Sequence, residues 1–153
     1  MTILLVFAAG VLVGLRSLTP PSVAAWFAHA GRLRLTGSLQ WMGQMPVPWL
    51  LTVLALVELT ADKLPRTPAR TAPPGLIARI ILGGLTGACV AMNAGTATLT
   101  GALVGIAGAI SGTYGGYHAR KTLVRALHKP DYTVAIVEDL ICIGGSLLIF
   151  SRL

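Results

Sequence analysis

Apolar residues run along this chain in long blocks separated by short polar stretches. They do not follow the strict alternation of strands or the single stripe of soluble helices. The blocks cover residues 2–30, 46–64, 75–93, 96–117 and 132–150. Several approach or exceed the roughly 17–25 residues that cross a hydrocarbon core as a helix. The pattern predicts an all-α, polytopic membrane protein of about five transmembrane helices, folded as one integral membrane domain over residues 1–153.

Polar residues inside these blocks carry the detail. The first is interrupted by Arg16-Ser-Leu-Thr-Pro20-Pro21. Tandem prolines remove two backbone donors and disfavour helix at the residue before them, so Pro20 and Pro21 mark a break or hinge. A charge beside a break suits a water-lined cavity or the discontinuous helix of a transporter. A plain proline kink, with Arg16 snorkelling or salt-bridged, fits the same letters. The Gly-rich connection that follows is bracketed by Trp26, Trp41 and Trp49, as in an interfacial belt.

The second block runs into Glu58, then Asp62 and Lys63, then the proline-punctuated stretch 65–74. Glu58 and Asp62 are four apart and share one helical face. An ionised carboxylate in hydrocarbon is costly, so that face should look into protein or a wet cavity. The third block carries Arg79 at its start, where snorkelling is expected, and Gly83-xxx-Gly87. The fourth holds Gly101, Gly105, Gly108, Gly112 and Gly116 at four- and three-residue intervals, a glycine zipper that predicts a tight helix contact within or between chains. A basic amphipathic continuation with Arg120, Lys121, Arg125 and Lys129 follows, and the fifth block contains the adjacent acids Glu138 and Asp139.

Composition agrees with the pattern: 54% of residues are hydrophobic and 11% charged, and the mean hydropathy is +0.76. The net charge of +7 would raise nucleic acid as a partner, but no basic patch interleaved with aromatics supports that. Lys and Arg instead collect in the loops at 62–79 and 118–131, against Arg32, Arg34 and Arg152 on the other side. The positive-inside rule then sets the N-terminus in the cytoplasm and the C-terminus outside. Were the first block a re-entrant hairpin, the N-terminus would move outside and everything after it would stay put. The N-terminal stretch lacks the basic start of a signal peptide and is read as a membrane helix. Cys89 and Cys142 stand alone in apolar blocks and read as packing residues.

Ala55-Leu-Val-Glu58 echoes Ala135-Ile-Val-Glu138, and Gly10-xxx-Gly14 echoes Gly108-xxx-Gly112. Two-helix units separated by one helix would have opposite topology, the inverted repeat of secondary transporters. Chance similarity among Ala/Val/Leu-rich helices is the alternative, and equal depths of Glu58 and Glu138 argue against strict inversion.

The candidate substrate- or ion-binding set is Arg16, Glu58, Asp62, Lys63, Glu138 and Asp139. Acids within apolar helices line cation or proton paths, or form buried salt bridges. An enzyme is disfavoured, because no Ser/His/Asp set, HExxH or His/Cys cluster is present, and no cofactor is implied. His29, His118 and His128 read as interfacial polar residues.

Gly14-Leu-Arg16-Ser-Leu-Thr-Pro20-Pro21, Glu58-xxx-Asp62-Lys63-Leu-Pro65, Gly112-Thr-Tyr-Gly-Gly116 and Glu138-Asp139 together resemble a family of small bacterial inner-membrane proteins, domain of unknown function 4126. The resemblance covers nearly the whole chain and implies a helical, multi-pass inner-membrane protein without specifying an activity. The expected function is a small transporter or channel-like permease, cation- or proton-coupled, working as a homo-oligomer in the lipid bilayer on a small ion or small-molecule substrate. The alternatives are a lipid-phosphate binding protein or membrane enzyme using Lys63, Arg66 and Arg70, and a structural subunit.

Overall fold

The computed structural model describes residues 1–61, 72–127 and 131–153. Six α-helices are present among them: α1 (Thr2–Leu15), α2 (Thr19–His29), α3 (Val47–Ala61), α4 (Pro73–Asn93), α5 (Thr98–Leu127) and α6 (Asp131–Ser151). A 3-10 segment, Gly37–Gly43, lies between α2 and α3. The fold is all-α.

Glycine organises the centre. α5 packs along both α1 and α4, and its glycines face them in turn. A Cβ on Gly105 would overlap the Gly83 carbonyl of α4, and one on Gly101 would meet Gly87 and Ala91. A Cβ on Gly108 would overlap the Phe7 carbonyl of α1, and one on Gly112 the Val11 carbonyl. Such approach is open only to helices without side chains at the crossing.

The same contacts set direction. Gly10 lies on Gly105 and Gly14 on Ala109 and Thr113, so α1 and α5 run parallel. Gly83 lies on Ala109 and Gly87 on Gly101, so α4 and α5 run antiparallel.

The first apolar block is therefore no continuous crossing. Its partners on α6 run from Cys142, bonded at Leu12, to Asp139, paired with Arg16, and then back to Phe150, stacked near Phe27. The chain reverses at residues 16–18, and α2 returns beside α3, where Trp26 and Ser22 meet Thr52. Pro20 and Pro21 stand in the first turn of α2, where a missing N–H costs no helical bond. The reversal precedes them and falls on Arg16, Ser17 and Leu18.

One end of the bundle gathers Thr2 with Ala91 and Thr96, the 34–36 strap bonded to Asn93 and Met92, and the Leu153 carbonyl bonded to Asn93. Both ends of the chain thus lie together, which differs from the expectation of termini on opposite sides. The supposed inverted repeat also fails on direction. α1 and α5 are parallel, whereas α3 and α6, antiparallel and parallel to α2 respectively, oppose each other; no single two-fold relates both pairs.

Among the described residues, α4 and the Tyr132–Ser151 part of α6 are each long and apolar enough to cross a membrane. The 3-10 segment and α3, bent by 66° at their junction, raise this to three if taken as one span. α5 is diluted by glycine, Ser111 and Thr113 and is not among them. It also runs on through the basic stretch as one helix, ten residues beyond the expected end. Val53, Leu56, Ile81, Leu103, Leu140 and Leu148 are all exposed, a continuous apolar exterior that belongs in lipid rather than water.

Candidate functional site

The reversal between α1 and α2 leaves a helix C-terminus and a helix N-terminus pointing at the same region, each with unsatisfied backbone groups. The two prolines remove donors from the first turn of α2, and Ser17 and Leu18 retain theirs. Glu58, reaching across from α3, takes them: its Oε1 accepts from Ser17 N at 2.8 Å and Ser17 Oγ at 2.6 Å, and its Oε2 accepts from Leu18 N at 2.9 Å. A carboxylate from another helix thus caps α2 at its positive dipole end.

The opposite charge sits at the end of α1. Arg79 of α4 donates from Nε to the Gly14 carbonyl at 3.2 Å and from Nη1 to its own helix at Gly75 at 3.1 Å. Its Nη2 lies 3.8 Å from Glu58 Oε1. Thr113 of α5 donates to the Gly14 carbonyl as well, at 3.4 Å. A guanidinium at the carbonyl end of α1 and a carboxylate at the amide end of α2 match both dipoles.

Arg16, in the reversal itself, is fully buried (0% exposed). Its Nη2 pairs with Asp139 Oδ1 at 2.5 Å. The neighbouring Glu138 Oε2 lies 3.7 Å from Arg120 Nη1 of α5. Cys142, one turn along α6, donates its thiol to the Leu12 carbonyl at 3.3 Å. Arg16, Glu58, Glu138 and Asp139 all lie within electrostatic reach of that thiol. Glu138 and Asp139 lie about 10–12 Å along α6, and Arg79 about 9 Å along α4, from the same end of the bundle, at ~1.5 Å per residue.

The structure therefore gathers four of the sequence-derived residues, Arg16, Glu58, Glu138 and Asp139, at one level around the reversal. Asp62 and Lys63 lie outside the described residues, as do Arg66 and Arg70. Two members escaped the sequence reading. Arg79 is not a snorkelling residue but is only 5% exposed. Its signal was its stripe: Arg79, Gly83 and Gly87 repeat every four residues, so the arginine faces inward wherever the glycines do. Arg120 extends the stripe of Gly112 and Gly116 in the same way. Ser17 could have been found as a hydroxyl three residues ahead of a Pro-Pro pair that marks a helix start. Among the described residues, no group of three His, Cys, Asp or Glu gathers as a metal site.

Chemically, three carboxylates and three guanidiniums meet inside an apolar bundle where a helix stops and another starts. This defines a small, all-helical, membrane-embedded protein with a polar interior at a helix reversal. The chain belongs to the family of domain of unknown function 4126 (DUF4126), whose model matches residues 3–151. Comparison with curated proteins and with solved structures returns no match.

Proposed function

We propose that this protein is a small multi-pass permease of the bacterial inner membrane in which the ion pairs at the α1–α2 reversal form a proton- or cation-coupled transport site. One observation carries the reading: the Glu58 carboxylate, rather than a backbone or solvent group, holds the amide end of α2 inside the bundle. A proton or cation arriving at Glu58 would compete with the Ser17 and Leu18 amides and with Arg79, freeing the end of α2 to move. Arg16 and Asp139 then hold the end of α1 while α2 shifts. Proline in the first turn keeps α2 a rigid unit, with Pro20 and Pro21 beside the hinge rather than at it.

On this reading α3, α4, α5 and α6 cross the bilayer and α1–α2 enters and returns as a hairpin. The basic end of α5, with Arg120, Lys121 and Arg125, faces the cytoplasm, and Thr2 and Leu153 face the other side. Four crossing helices and a hairpin enclose little volume, so the permease works as a homo-oligomer.

The test is flux in proteoliposomes. Wild-type protein should dissipate an imposed pH or cation gradient, and Glu58→Gln should slow it by about 10²-fold or more, the scale of losing a general acid–base group. Wild-type vesicles as tight as protein-free ones for every cation tried would overturn the reading. A second reading has its own support. Each of Glu58, Glu138 and Asp139 faces an arginine, as in a subunit whose ion pairs only fix the packing. It requires Glu58→Gln to lower stability with no flux to lose. Lipid-phosphate chemistry at Lys63, Arg66 and Arg70 falls outside the described residues.

A further inference from the structure

The donors that hold Glu58 converge on one spot, and none of them comes from its own helix. Ser17 N and Ser17 Oγ meet Oε1 at 2.8 and 2.6 Å, and Leu18 N meets Oε2 at 2.9 Å. The Arg79 guanidinium of α4 stands 3.8 Å from Oε1. Two successive amides at a helix start, a hydroxyl and a guanidinium make an anion seat. A helix start is ordinarily capped by a side chain at its own first residues. α2 has no such cap, and its anion comes from 40 positions further along the chain. α3, which carries that anion, is an outlying helix: only Pro48 and Ala55 are buried along it, and it packs chiefly on α2 and the 3-10 segment.

A hydroxyl is left over beside the seat. Thr19, in the first turn of α2, is 6% exposed, and its Oγ1 has no hydrogen-bond partner among the described residues. Cα–Cβ bonds tilt toward the N-terminus of a helix, so this hydroxyl is carried toward the same end. We infer that Glu58 is a tethered stand-in and that the seat's free ligand is a small carboxylate, which takes the Ser17 and Leu18 amides when Glu58 leaves them. Two oxygens spread over two amides fit a planar carboxylate better than one spherical halide, and an anion off the α3 tether can accept from Thr19 as well. The inference rests on the proposed transport site in one respect: the displacement of Glu58 that frees α2 also opens the seat. Glu58 and the free anion exclude each other, which makes the anion the cargo and Glu58 its gate.

The experiment uses the full chain in detergent and follows thermal unfolding in formate, with chloride at matched ionic strength as the control. Glu58→Ala vacates the seat, so formate should raise its Tm saturably, by about 5–10 °C at ~100 times Kd. Wild type, whose seat Glu58 fills, should gain nothing over chloride. Adding Ser17→Ala to Glu58→Ala should raise the formate concentration needed by about 10–100-fold, the loss of one bond to a charged group. Glu58→Gln keeps the bulk of the side chain and folds even if Glu58→Ala does not; it too should gain from formate. No gain in either variant, or an equal gain from chloride, overturns the inference. Formate binding in a protein that passes no ions in vesicles keeps the seat and removes the transporter; flux without formate binding does the reverse.

Discussion

At the scale of single residues, the reversal is held by side chains standing in for the backbone bonds a continuous helix would have made. Ser17 and Glu58 satisfy the start of α2, and Arg79 and Thr113 satisfy the end of α1. Ser17→Ala deletes a hydroxyl bonded to a charged acceptor at 2.6 Å, so a loss of about 1.5–3 kcal/mol is expected, readable as a lower midpoint in denaturant unfolding of the detergent-solubilised chain. Asp139→Asn is more severe, because Arg16 is buried against that carboxylate. Breaking one side of a buried pair costs about 3–5 kcal/mol, whereas replacing both partners with apolar residues of similar size is close to neutral. The double variant Arg16→Met/Asp139→Leu should therefore be more stable than Asp139→Asn alone. A double variant no more stable than the single one would mean that the arginine does more than neutralise this acid. The acids themselves were legible in the sequence, since a carboxylate in an apolar block has few tolerable surroundings. Their arginines were less so: Arg79 near a helix start looks the same whether it snorkels or turns inward, and only its register with Gly83 and Gly87 separates the two.

At the scale of elements, α5 is the post on which α1 and α4 lean, and its glycines differ in what surrounds them. A Cβ on Gly105 would strike the backbone of α4 at Gly83 and Gly87, while one on Gly115 meets nothing within 4 Å. Backbone cannot step aside as a flexible side chain can, so Gly105→Ala forces the helices apart and should cost about 1–3 kcal/mol, as overpacking does. Gly115→Ala should instead stabilise by up to about 1 kcal/mol through helix propensity. Thermal melts of the two variants side by side check the contrast, and melts that shift together would contradict the packing described. Glycine spacing in a sequence announces that two backbones approach; it does not say which two. It gave no sign that the first two of these α5 glycines, Gly101 and Gly105, meet α4 while the next two, Gly108 and Gly112, meet α1. The end of α5 was misjudged for a related reason. Polarity changes after Tyr117, but helix does not stop where polarity changes, and no glycine or proline interrupts the basic stretch before Pro130.

At the scale of the whole molecule, hydropathy could give the class and the apolar blocks but not their directions. A run over residues 2–30 holds enough apolar residues for one kinked crossing, and a hairpin of a 14-residue and an 11-residue helix has the same composition. What decides between them is long-range: Leu12, Arg16 and Phe27 meet α6 at Cys142, Asp139 and Phe150 in an order that doubles back. The consequence is testable without knowing what the protein moves. Cysteines placed at Thr2, Thr96 and Leu153 should react with a membrane-impermeant maleimide from one side of sealed, uniformly oriented vesicles, and one at Thr122 from the other. The native Cys89 and Cys142 are both fully buried, so background labelling should be low. A continuous first crossing would put Thr2 on the side of Thr122 and leave Thr96 and Leu153 opposite. Labelling of Thr2 together with Thr122 would thus restore the uninterrupted span and dissolve the reversal around which Glu58 and Arg16 are arranged. Labelling of Thr2 with Thr96 and Leu153 would fix the hairpin, and with it the depth at which the buried charges lie.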